Sequence, residues 1–169
     1  MNETLECWEI ALKSSNTPSA IALSRQKVPY INPRNTKENK CEKGAYVVRI
    51  TSHDNNVTIV ASGTEVELAL KVQEKLKESN IHSKVVSMPC MELFDKQTKD
   101  FRNDIIEESS LVVTLEAGSV ISWQKYIRNK GMNIGIDQFG ESAPYKDVYN
   151  HFGLSEEKIT NFIQKKLRE

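Results

Sequence analysis

The stretch VTIVASGTEVELALKVQEKLKESNIHSKVVSM, residues 57–88, decides the fold. Val57 to Ala61 is a short apolar run dominated by β-branched residues, which predicts a buried strand. Gly63 then allows a tight turn, and the flanking Ser62 and Thr64 offer hydroxyls to the first free amides of a helix. From 64 to 79, Val66, Leu68, Ala69, Leu70, Val72 and Leu76 spread over one face while Glu67, Lys71, Glu74 and Glu78 line the other. That pattern predicts a helix covering a sheet. A second apolar run at 84–88 closes the unit. Strand, covering helix and strand in succession are the repeat of a parallel sheet with right-handed crossovers.

Outward from this unit, apolar strands are expected at 45–50, 110–115 and 132–136. Helical or irregular crossovers are expected near 91–107 and 121–129. Thr51 to Asn56, with its Ser-His-Asp-Asn-Asn centre, predicts a hairpin between the first two strands, so that one strand runs antiparallel to its neighbour. Ser155 is placed to cap a last helix that turns Ile159, Phe162, Ile163 and Leu167 inward. The fold class is therefore α/β, a three-layer arrangement. Its five-stranded sheet is mostly parallel with one antiparallel strand, and helices cover both faces.

Residues 2–14 carry Leu5, Trp8, Ala11 and Leu12 at helical spacing, an amphipathic helix in need of something to pack on. Thr17-Pro18 breaks it, and Ala20 to Leu23 is expected as a buried strand. Residues 27–44, with Pro29, Pro33 and many Asn and Lys, have the composition of a linker. One helix and one strand cannot make a core. Hence 1–26 is read as the tail of a preceding domain, 27–44 as an interdomain linker, 45–169 as a complete α/β domain, and the chain as part of something longer.

The 169 residues carry 23 Lys and Arg against 23 Asp and Glu, a balance that argues against a nucleic-acid or anionic-membrane partner. No long apolar run predicts a membrane span, and the amino terminus lacks the pattern of a signal peptide. Cys7, Cys41 and Cys90 fit no zinc or redox spacing, which predicts reduced thiols in the cytoplasm. His53, His82 and His151 are equally scattered, so no metal site is expected.

Four places invite chemistry. Ser62, Gly63 and Thr64, at a strand-to-helix turn, are a candidate anion site, with simple helix capping as the blander account. Glu116, before Ala117-Gly118-Ser119, stands at the carboxyl end of a strand, where open parallel sheets place ligands. Phe139 to Pro144 is a sharply turned loop ahead of a helix beginning near Pro144. Arg25 closes the apolar run at 20–23, and its planar fork suits bidentate binding of a phosphate or carboxylate.

Taken in order, TPSAIALSRQ at 17–26, ASGTEVELA at 61–69, VVSMPCMELFDKQ at 85–97, LEAGS at 115–119 and IGIDQFGESAP at 134–144 resemble the carboxy-terminal part of the transketolase family. The resemblance implies a three-domain enzyme whose first two domains bind thiamine diphosphate and a divalent metal, Mg or Ca, at a homodimer interface. It implies that the cofactor, metal and catalytic residues lie in those earlier domains. It also implies that Arg25, in the LSRQ motif, contacts the terminal phosphate of a sugar-phosphate substrate. The complete enzyme is then expected to move a two-carbon glycolaldehyde unit from a ketose phosphate to an aldose phosphate. This chain alone is expected to be inactive, with no catalytic, cofactor-binding or metal-binding residue of its own. The alternative is a stand-alone small-molecule-binding or regulatory α/β module that uses the strand-end surface.

Overall fold

The computed structural model describes residues 2–24, 27–31, 38–127 and 131–169. Helix α1 spans Asn2–Lys13. The strands are β1 Tyr46–Ile50, β2 Val57–Ala61, β3 Ser83–Ser87, β4 Leu111–Leu115 and β5 Met132–Ile134. Between and after them come α2 Glu65–Glu78, α3 Met91–Asp95, α4 Lys99–Ile105, α5 Tyr145–His151 and α6 Glu156–Leu167. A 3-10 turn at Lys40–Lys43 precedes β1.

The five strands form one sheet in the order β1-β3-β2-β4-β5. β3, β2, β4 and β5 run parallel, and β1 is antiparallel to β3. Every residue of β2, β3 and β4 is buried, as expected of central strands covered on both sides. On one face Val57, Ile59, Val85 and Val113 pack with Val72 and Leu76 of α2 and with Ile159 and Ile163 of α6. On the other, Val60, Val86 and Val112 pack with Phe94, Ile105 and Trp123. The expected three layers are present.

The hairpin expectation is corrected. β1 and β2 are not neighbours, because β3 lies between them. The 51–56 segment crosses the start of β3, with the Thr51 amide donating to the Ser83 carbonyl and the Asn56 amide to the His82 carbonyl. It therefore bridges two strand positions instead of turning back on itself. The segment also lacks the glycine that favours a two-residue hairpin turn.

The strand expected at 20–23 is also corrected. Residues 18–24 have no regular structure, and Leu23 is 63% exposed. No neighbouring strand among the described residues supplies the ladder hydrogen bonds that would hold it extended.

Helix α1 forms as expected but packs with the unexpected face. Leu5, Trp8 and Leu12 point to solvent, while the opposite face, carrying Glu3, Glu6 and Cys7, meets the sheet domain. The Glu6 carboxylate is buried and accepts from the amides of Lys40 and Cys41 at 3.0 and 3.3 Å. Glu3 accepts from the Tyr46 hydroxyl at 2.8 Å and the Ser87 hydroxyl at 2.6 Å. Two carboxylates thus satisfy orphan amides of the 3-10 turn and hydroxyls of the β1–β3 pair. Charge-assisted bonds of this kind are worth about 1.5–3 kcal/mol each. Gly44 ends the turn in the left-handed region at φ +82°, and a Cβ there would lie 2.2 Å from the Phe94 amide nitrogen. Only glycine lets the turn sit this close to α3.

Candidate functional site

The register of β2 against β4 pairs Ala61 with Leu115, so the next residues, Ser62 and Glu116, emerge side by side. From β2 the chain leaves toward β3, whereas from β4 it leaves toward β5. The two loops diverge and open a crevice at the carboxyl ends of the strands, the usual ligand position in such sheets. Gly63, at φ +53°, makes the sharp entry into α2.

Two carboxylates face this crevice. The Ser62 hydroxyl and the Trp123 indole N–H each donate to Glu116 Oε2 at 3.2 Å. The Thr64 and Tyr149 hydroxyls donate to Glu65 Oε1 at 2.7 and 2.5 Å. Glu65 is only 4% exposed and lies in the first turn of α2, where a negative charge complements the helix dipole. Burial, and then the charge of Glu65, push the Glu116 carboxyl above its ordinary value, against the two hydrogen bonds it accepts. Burial, followed by the bond to Glu65, raises the Tyr149 phenol to about 12. Tyr149 therefore stays protonated and donates.

A second loop pair closes one side. Asp137 accepts from the Ser119 hydroxyl and the Val120 amide, both at 3.1 Å, and the Ile136 amide donates to the Gly118 carbonyl. These bonds hold the 116–120 loop against 134–137.

The structure brings Ser62, Thr64 and Glu116 together. The hydroxyls of the candidate anion turn donate to carboxylates, so an anion arriving at Ser62-Gly63-Thr64 would meet Glu65 and Glu116. The arrangement suits hydrogen-bond donors or a positively charged group better. Sequence reading missed Tyr149 and Asp137, and it gave Glu65 a place only on the strand-end surface of the regulatory alternative, with Ser62 to Thr64, Glu116 to Ser119 and Gly140 to Ser142. Glu65 and Asp137 stood inside quoted motifs, but nothing in the sequence signalled that Tyr149 would reach Glu65. Gly140 to Ser142 lie exposed at the rim. Arg25 lies outside the described residues.

Among the described residues no group of three or more His, Cys, Asp or Glu side chains could hold a metal ion, and no helix is long and apolar enough to cross a membrane.

The fold is a doubly wound α/β domain of mixed sheet, with the loops after β2 and β4 diverging at the strand ends. Residues 44–155 match the family model of the transketolase-like C-terminal domain. The chain belongs to the transketolase family. It is 40% identical over 158 residues to the transketolase of Sinorhizobium medicae, covering 93% of this chain and 23% of that protein. It superposes on the Pichia stipitis transketolase in complex with sedoheptulose-7-phosphate with a TM-score of 0.89 at 28% identity. That match spans 99% of this chain and 24% of the other. A split-gene transketolase, an inactive β4 tetramer, matches at a TM-score of 0.65 and 25% identity over 85% of this chain and 48% of its own. The chain thus spans about a quarter of the length of the full-length relatives it matches.

Proposed function

We propose that this chain acts as the carboxy-terminal part of a transketolase. In the complete enzyme, other domains hold thiamine diphosphate and a divalent metal, Mg or Ca, at a homodimer interface. The cofactor supplies the carbanion that carries glycolaldehyde from a ketose phosphate to an aldose phosphate. Residues 1–26 close the preceding domain, 27–44 link it to the sheet, and 45–169 form the carboxy-terminal domain. Within this chain Arg25 binds the substrate's terminal phosphate, and the chain alone is inactive in the cytoplasm.

The observation that carries this reading is the family match across 44–155 in a chain that covers so small a share of its relatives. The exposed stripe of Leu5, Trp8 and Leu12 supports it, since an apolar helix face open to solvent suits contact with a further domain. The strand-end crevice keeps the stand-alone regulatory module as the second reading.

Joining this chain to the remaining domains of a transketolase tests both. The assembled enzyme should transfer glycolaldehyde, and the chain alone should not. Transfer by the chain alone, or no transfer by a folded assembly, sinks the first reading. In the assembly, Arg25→Ala should raise the KM for phosphorylated donors by about 10- to 100-fold, the worth of one charge-assisted contact. It should leave hydroxypyruvate, which has no phosphate, nearly unaffected. Equal losses for both donors would remove the role of Arg25.

A further inference from the structure

We propose that Cys7 and Cys41 form a reversible disulfide that locks helix α1 onto the sheet domain, with Cys7 as the attacking thiol and Cys41 as the resolving one. The geometry is specific to this pair. The Cys41 thiol donates to the Glu3 carbonyl at 3.9 Å. Glu3 lies one helical turn before Cys7 on the same face of α1, so its carbonyl faces the Cys7 amide. Each thiol is the largest single influence on the titration of the other. Cys41 is fixed in place by its amide, which donates to Glu6 at 3.3 Å and to the Asn39 side chain at 3.0 Å.

Exposure sets the order of events. Cys41 is 1% exposed, while Cys7 is partly exposed and lines a cleft of about 990 Å³ between α1, residues 17–24 and 28–31 and the sheet domain. A small oxidant meets Cys7 first. The neighbouring Cys41 lowers the Cys7 thiol, opposed by burial and by the charges of Glu3 and Glu6, whereas Cys7, together with burial, raises Cys41. Cys41, its thiol donating to the Glu3 carbonyl, keeps its proton, and Cys7 becomes the nucleophile.

With a low-molecular-weight disulfide such as glutathione disulfide as oxidant, the chemistry balances. Cys7, its proton lost to water, attacks one glutathione sulfur. The glutathione S–S bond breaks, a new S–S bond forms to Cys7, and one glutathione leaves as a thiolate that takes up a proton. Cys41 then attacks the Cys7 sulfur and expels the second glutathione, to which its own proton passes. Two protein thiols are oxidised by two electrons and one glutathione disulfide is reduced to two glutathiones.

The product joins α1 to the 3-10 turn through a covalent bond where hydrogen bonds had held it. Undocking of α1 then requires reduction. The proposal concerns these residues alone and stands apart from the transferase reading.

The test exposes the full reduced chain to graded mixtures of reduced and oxidised glutathione, followed by peptide mapping without reductant and by amide exchange. The expected result is a cross-linked peptide joining residues 1–13 to 41–43, lighter by two hydrogens than its parts. Exchange of α1 amides should slow about tenfold or more, with β2 unchanged. Cys41→Ser should trap glutathione on Cys7, and Cys90→Ser should oxidise as the parent does. Because position 41 is buried, Cys7→Ser, at a partly exposed position, provides the second variant, and it should abolish the two-hydrogen loss. A bridge that includes Cys90, cross-links only between chains, or a Cys7 that stays reduced while Cys90 is modified would overturn the proposal.

Discussion

Val57 to Ala61 and Ala20 to Leu23 are both short apolar runs, and they end differently. The first lies between β3 and β4 with both rows of backbone groups paired and almost no exposed surface. The second has no ladder on either side, and Leu23 is 63% exposed. A strand is made by its neighbours as much as by its own residues, because unpaired amides and carbonyls gain nothing from being held extended. The same contrast separates the two ends of the molecule. From Ala45 onward the central strands and α2 bury their apolar faces, and α6 buries Ile159 and Ile163 but leaves Phe162 and Leu167, both expected inward, exposed, whereas α1 shows its apolar stripe to solvent and holds on by polar contacts.

The largest expected effect breaks the molecule at its better-packed end. Ile59→Ala deletes a fully buried side chain at the centre of the sheet and should lower stability by about 2–5 kcal/mol. Leu12→Ala, at an 80% exposed position of α1, should stay within about 0.5 kcal/mol. Urea midpoints measure both. Comparable losses would mean that the α1 stripe is covered in solution and the contrast is false.

A second, more local effect follows at the α1 contact. Glu6→Ala removes the carboxylate that accepts from two amides of the 3-10 turn. Docking of α1 should weaken by about 1.5–3 kcal/mol, the worth of one such bond, since the Cys41 amide keeps Asn39 as an acceptor. Amides of α1 should then exchange about 10- to 100-fold faster, while the urea midpoint of the sheet domain barely moves. Unchanged α1 exchange would show that other contacts hold the helix.

Much of the sheet domain was legible because its signals are local. β2 and α2 fall where periodicity puts them, and Ser155 caps α6 as expected, but neither Ser62 nor Thr64 caps α2, because their hydroxyls donate to Glu116 and Glu65. Strand order was not legible, since the insertion of β3 between β1 and β2 depends on pairings across dozens of residues. Nor was the orientation of α1. Hydrophobic spacing marks an apolar stripe but does not say that a nearby turn will present two free amides to Glu6. Ser62 and Glu116 stood out singly, and only the β2–β4 register makes them one site. Tyr149 joins from a helix whose own sequence carries no sign of that contact.

The smallest expected effect compares two carboxylates. Glu6 is met by backbone amides, while Glu116 faces a second carboxylate, Glu65, across the crevice. Burial and then that charge hold the Glu116 carboxyl above its ordinary value of 4.5. Between 4.5 and its raised value, the folded chain keeps this proton and the unfolded chain does not. Its contribution to stability is therefore most favourable below the unfolded value and declines as pH rises through the folded one. Glu116→Gln retains a carbonyl oxygen for Ser62 and Trp123 and removes the charge. Parent and variant should be equally stable at low pH and separate as pH rises, with the variant more stable at neutral pH. Partial exposure of Glu116 and solvent screening keep the gain under about 1 kcal/mol. Urea midpoints of the two proteins at several pH values measure the gap directly, since groups that titrate in both cancel in the difference. A gap that is constant with pH, or a variant that is less stable at neutral pH, would mean that the hydrogen bonds from Ser62 and Trp123 outweigh burial and the facing charge.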